Sequence, residues 1–116
     1  MAPPLRFKRV YEPPAPDDGR RVLVDRLWPR GLTKADAHVD VWLKEVAPSP
    51  NLRRWFGHQP ERWPQFRERY LAELAANPAL ERLRELIAEG PVTLLFAARD
   101  TDRNDAVVLA ELLEGG

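Results

Sequence analysis

The stretch RVLVDRLWPRG, residues 21–31, decides how the chain is read. Val22, Leu23 and Val24 form the continuous apolar run of a strand buried on both faces in a parallel sheet, where alternation between core and solvent is lost. The expected strand covers 21–27 and stops at Trp28-Pro29, because proline donates no hydrogen bond and restricts the residue before it. Gly31 permits a turn, and Thr33 is placed to cap a short helix through Ala37. A second stretch repeats this order: VTLLFAA, residues 92–98, leads through RDTDRND, 99–105, into an apolar helical segment from Ala106 to Leu113. Strand, polar turn and helix in succession, met twice, predict an α/β fold.

The remaining segments fit around those two units. Residues 5–11 alternate apolar and basic, as a half-buried or edge strand does. Residues 12–20 form a Pro-rich loop, with three prolines and a glycine that cannot continue a ladder. Residues 39–43 fit either a strand or one to two helical turns. Ser49 or Asn51 can cap a short helix over 51–56 that Gly57 ends. From Pro60 to Ala76, Trp63, Phe66, Tyr70, Leu71 and Leu74 make one apolar stripe, and Pro64 limits how early that helix starts. A further helix from Leu80 to Glu89 stops at Gly90-Pro91. No repeat, low-complexity tract or linker interrupts the 116 residues, so 1–116 is expected to be one domain. Its sheet is expected to be small and mostly parallel with covering helices, three-layered and Rossmann-like.

Composition excludes several classes of function. Eighteen basic residues balance 18 acidic ones, so no overall field draws the molecule to nucleic acid or an anionic membrane. The 15 arginines against three lysines reflect genomic composition as readily as anion recognition. Cysteine is absent, which removes disulfides, thiolate nucleophiles and Cys-ligated metals. Met1 to Phe7 has no apolar leader and no window is long enough for a membrane span, so the expected location is cytoplasmic, with no membrane partner. No G-x-S-x-G, phosphate-loop or dinucleotide-binding pattern occurs. Asp36, His38 and Asp40 would share one face of a strand, yet no second His or Cys stands at a usual ligand spacing; no metal or other cofactor is expected. The sequence carries no sign of a particular oligomeric state.

If the two apolar strands are parallel, their carboxyl ends share one edge of the sheet, where open α/β sheets bind ligands. That edge collects Asp25, Arg26, Trp28 and Arg30 from one strand, and Arg99, Asp100, Thr101, Asn104 and Asp105 from the other. Guanidiniums there could hold a phosphate or carboxylate, aided by free N–H groups of the following helix. WFGHQPERW, residues 55–63, adds an aromatic wall around His58, which titrates near neutral pH. The expected activity is the binding of a small anionic ligand by Arg26, Arg30 and Arg99, with Trp28 or Trp55 stacking and Asp100 and Asn104 beside them. Asp25 and His58 are the candidate acid/base pair if there is catalysis. The alternative is a non-catalytic module contacting protein or nucleic acid. A purely structural use is also open: Asp25 with Arg99 or Arg30 with Asp100 as ion pairs, and Thr101 or Asp102 as a helix cap.

Five blocks occur in order: VDRLWPRG at 24–31, WLKEVAPS at 42–49, LRRWFGHQPERW at 52–63, FRERY at 66–70 and VTLLFAARD at 92–100. With them the chain closely resembles the domain of unknown function 488 family, in its YeaO-like branch. The resemblance implies a small cytoplasmic bacterial or archaeal α/β protein with a compact three-layer core, and no settled activity to carry over. The matching motif positions are Asp25, Arg26, Trp28, Arg30 and Gly31, then Trp55 and His58, then Arg99, Asp100 and Asn104. Distant relatives carry cysteines near the strand matching 92–98; without them, any thiol chemistry does not transfer to this chain.

Overall fold

The computed structural model describes residues 5–115; Met1 to Pro4, read above as free of a leader, lie outside the described residues. Among the described residues, β1 (Leu5–Arg9), β2 (Arg20–Leu23), β3 (Val41–Trp42) and β4 (Val92–Phe96) form one all-parallel sheet in the order β1-β4-β2-β3. β4 is hydrogen-bonded on both sides, with Leu94 opposite Phe7 of β1 and Val22 of β2. All five of its residues are buried, which accounts for the missing alternation. β1 is an edge strand, as expected from the sequence, but its burial does not alternate: Leu5 is buried while Phe7, on the same face, is 40% exposed.

Among the described residues, five α-helices accompany the sheet: α1 (Lys34–Ala37), α2 (Pro50–Phe56), α3 (Trp63–Ala75), α4 (Ala79–Glu89) and α5 (Asp105–Gly115). Their ends follow local chemistry. Thr33 Oγ1 accepts the Asp36 N–H at 3.1 Å, and Ser49 Oγ accepts the Leu52 N–H at 3.2 Å. Gly57, at φ 51°, ends α2, while Pro64 sits in the first turn of α3, where its missing N–H costs nothing. No described helix is long and apolar enough to cross a membrane.

The two faces of the sheet are covered differently. On one, Val22, Val24, Leu94 and Phe96 pack in a cluster with Phe66, Tyr70 and Leu74 of α3, Leu83 and Leu86 of α4, and Val108 and Leu109 of α5. On the other, Leu23 and Leu95 meet Val10, Ala37, Trp28 and Leu32. The third layer is therefore thin, made of one helical turn and the Pro-rich loop.

That loop, residues 10–19, returns the chain from β1 to β2 without a helix, although parallel crossovers ordinarily need about a dozen residues or more. A buried polar network holds it down. The Asp18 carboxylate accepts from Lys8 Nζ at 2.8 Å, from the Arg21 guanidinium at 2.7 Å and from the Ala15 N–H at 3.0 Å. Thr93 Oγ1 donates to the Asp18 carbonyl at 2.8 Å, and Arg21 also donates to the carbonyls of His38 and Ala37 at 2.8 and 3.1 Å. Burial alone would raise the Asp18 pKa; Lys8, the Ala15 N–H and Arg21 outweigh it and lower the value to about 2.

Two segments differ from expectation. β2 ends at Leu23 rather than 27, because side-chain contacts described below replace the ladder. The undecided segment 39–43 contains β3, a two-residue strand whose Leu43 N–H donates to the Leu23 carbonyl at 2.9 Å. Asp36, His38 and Asp40 share no strand face: Asp36 lies in α1, His38 ends it at φ 50°, and Asp40 accepts the Arg21 N–H at 2.8 Å.

Two predictions follow from the loop. At Gly19, φ is +65° and a Cβ would overlap the Pro91 carbonyl oxygen, whereas Gly31, at φ +80°, faces open space. Gly19→Ala should thus cost more than about 2 kcal/mol in urea unfolding and Gly31→Ala about 1 kcal/mol; equal costs would remove the close approach from the account. Asp18 has a depressed folded-state pKa, so its contribution is complete above the ordinary value near 3.8 and is lost as pH falls through about 2. Asp18→Asn should lower stability at pH 7 by about 3 kcal/mol, leaving Arg21 buried without its counter-charge, and should flatten the acid limb of stability against pH.

Candidate functional site

After β2 the chain packs on the thin-layer face through Trp28, Leu32 and Ala37; after β4 it enters α5 on the helical face. The two departures diverge, so a crevice opens between the carboxyl ends of β2 and β4, the usual ligand position in an open α/β sheet. At its floor the ladder changes character. Val24 N–H still donates to the Leu95 carbonyl at 3.1 Å, but Ala97 N–H donates to Asp25 Oδ2 at 2.8 Å. A side chain has taken the place of a strand carbonyl, and that stops β2.

Asp105, the first residue of α5, stands against Asp25. Its Oδ1 accepts the Ala106 N–H at 2.9 Å. Although Asp105 keeps some exposed surface, its carboxyl is packed round by protein. Burial first, then the charge of Asp25 and a hydrogen bond between the two carboxyls, push the Asp105 pKa well above the usual carboxylate range, while Arg53 pulls the other way without prevailing. The raised value means that Asp105 holds its proton to higher pH than an ordinary carboxyl, which makes it the member of the pair placed to donate toward Asp25.

Arg53 of α2 lines both halves of the crevice. One half, a cleft of about 80 Å³, includes Pro48, Phe56, His58, Arg103, Asn104 and Asp105; the other, about 260 Å³, includes Tyr11, Asp25, Leu27, Trp28, Pro29 and Arg30. Among the described residues, the Arg53 side chain forms no ion pair.

The residues singled out in the sequence divide into three groups. Asp25, Trp28, Arg30 and His58 reach the crevice. Trp28 is anchored there, its Nε1 donating to the Leu32 carbonyl at 2.7 Å and its ring meeting Trp42 edge-on at 5.4 Å. His58 is exposed on a left-handed turn at φ 56°, and with Arg99 and Asp100 it lines a shallow extension of the rim. Asp100 and Asn104 build the turn before α5. Asp100 Oδ1 accepts the N–H groups of Asp102 and Arg103 at 3.0 and 3.1 Å, and Asn104 Oδ1 accepts the Val107 N–H at 3.1 Å. Asn104, rather than Thr101 or Asp102, therefore caps α5, and Asp100 pairs with Arg103 at 3.1 Å rather than with Arg30. The N–H groups of Ala106 and Val107 are already engaged, so the helix offers an anion less than its bare terminus would.

Arg26 and Trp55 are not brought to the crevice. Beyond the end of β2 at Leu23, the Arg26 guanidinium turns to the carbonyls of Ala47 and Pro48 at 3.4 and 3.5 Å, with its buried Nε unpartnered. Trp55 lies two residues beyond Arg53 on α2, roughly 200° around the helix. It lines a separate groove, with Arg69 over its ring at 4.3 Å and Arg62 at 5.4 Å. In the sequence Arg53 stands out only as part of the LRRWFGHQPERW block, and Asp105 only as a member of the rim. No spacing within α2 singles Arg53 out, since Arg53 and Trp55 flank the buried stripe of Leu52 and Phe56 at equal angles. Among the described residues no group of three or more His, Asp or Glu is placed to hold a metal.

Comparison with known proteins agrees with the five sequence blocks. The family model described as "Inactive DUF488-N3 subclade" matches residues 4–116. Uncharacterized protein Rv3073c of Mycobacterium tuberculosis (strain H37Rv) is 51% identical over 111 residues, covering 96% of this chain and 94% of that protein. Uncharacterized protein YeaO of Escherichia coli (strain K12) is 46% identical over 110 residues, covering 94% of this chain and 96% of that protein. No solved structure matches significantly. On a match spanning nearly the whole chain, this protein belongs to the DUF488-N3i family, the inactive DUF488-N3 subclade.

Proposed function

We propose that the protein is a cytoplasmic binding protein for a small anionic ligand, held in the crevice where β2 and β4 end. The observation that carries this is Arg53, a guanidinium without an internal ion pair, lining both halves of a cleft at the topological switch point. Arg30 and Arg99 stand at the rims to add charge, and Trp28, fixed at its indole N–H, offers a planar wall. Asp25 and His58 then act as ligand contacts rather than as an acid/base pair. The description of the family as inactive favours binding without turnover. Leu27, 63% exposed beside the same crevice, is the feature that favours an interaction module instead.

An amide NMR titration with inorganic phosphate up to tens of millimolar tests the anion site. Shifts should concentrate at Ala97, Ala98, Asp105 and Ala106 and disappear in Arg53→Ala, with that variant still folded. Shifts scattered over the surface arginines, or unchanged in Arg53→Ala, would overturn it.

A further inference from the structure

The crevice is electrically two-sided. Asp25 and Asp105 place carboxyls on its floor, while Arg53 enters from α2 and Arg30 and Arg103 stand at either end. A compact anion that reaches Arg53 brings its charge close to those carboxyls, and like charges at such separations repel in a partly desolvated site. A hydroxyl meets no such repulsion, since it both donates and accepts.

The carboxyls are prepared for such a partner. Asp25 has one oxygen fixed by the Ala97 N–H at 2.8 Å, and Asp105 has one fixed by the Ala106 N–H at 2.9 Å. Neither group has to be ordered when a ligand arrives, and the carboxyl oxygens not engaged by those amides are placed to accept from a hydroxyl. An ammonium group only donates and would be matched poorly by a pair that retains a proton.

We propose that the crevice takes a hydroxylated organic anion, its hydroxyls on Asp25 and Asp105 and its charged end on Arg53. This rests on the anion-binding function proposed above and narrows it to a ligand class that includes the sugar phosphates.

Calorimetric titration of the whole protein with ribose 5-phosphate, propyl phosphate, inorganic phosphate and L-glutamate separates the possibilities. Ribose 5-phosphate should bind at least ten-fold more tightly than propyl phosphate, which has the charge without the hydroxyls, and than L-glutamate, which has an ammonium. Asp105→Ala should abolish that preference while leaving the binding of inorganic phosphate unchanged, because the proton-bearing Asp105 adds no charge of its own. Asp105→Asn keeps hydrogen-bonding groups at the position and should retain most of the preference. Equal affinity for ribose 5-phosphate and propyl phosphate, or a preference that survives Asp105→Ala, would overturn the hydroxyl assignment while leaving the anion site standing. L-glutamate equalling ribose 5-phosphate would overturn it in favour of an amino-bearing ligand. No binding of any phosphate would remove both.

Discussion

The hydrogen bond from the Ala97 amide to the Asp25 carboxylate decides how this sheet ends. A continued parallel ladder would have given that amide to a β2 carbonyl and carried both strands onward together. With a charged side chain in its place, a bond of a kind that contributes about 1.5–3 kcal/mol, β2 stops and the two chains separate to opposite faces. The crevice is what their separation leaves. The same bond fixes a carboxylate at the crevice floor, and Asp105, brought there by α5, must keep its proton to lie beside it. Sheet termination, cleft and proton sharing are thus one arrangement.

The unequal layers of the fold have a physical cause as well. Four of the helices stack on one face, where Val22 of β2 and Val92, Leu94 and Phe96 of β4 are buried. The other face mixes Leu23 and Leu95 with Arg21, Thr93 and Lys8, and a helix with an apolar stripe would cover those badly. A ten-residue loop covers them instead, donating one carboxylate, Asp18, to two cations and accepting the Thr93 hydroxyl at its carbonyl. The ten-residue return from β1 to β2 is short because charge pairing in the interior does the work that helix packing does elsewhere.

Much of this is written locally in the chain. The apolar runs at 22–24 and 92–96, the caps at Thr33 and Ser49, the stop at Gly57 and the stripe on α3 depend on neighbours within a few residues, and each lies where the spacing places it. The strand-end argument brought Asp25, Trp28 and Arg30 to one rim for the same reason, since the end of a parallel strand is a local feature. Arg53, Arg26 and Trp55 depend on something else: how α2 is laid over the sheet edge and which way the chain turns after Asp25. A rotation of one helix sends Arg53 into the cleft and Trp55 out of it, and no pattern within α2 says which. Asp18 and Arg21 were opaque for a related reason. Charged residues in a loop and at a strand start ordinarily face water, and only the thin layer of this fold buries them together.

The central claim is that Asp25 and Asp105 share a proton at the meeting point of β2 and β4. Carbon-13 NMR titration of the Asp105 carboxyl measures it directly, beside urea-unfolding stability over the same pH range. The folded-state value is raised, so its contribution to stability is complete below the ordinary carboxylate pKa and is lost as pH rises through the folded value. The account expects Asp105 to titrate well above the usual carboxylate range and to return toward it in Asp25→Ala, which removes the neighbouring charge. Titration of Asp105 near 4 in the wild type, with stability indifferent to pH above that point, would contradict the shared proton and the crevice chemistry built on it.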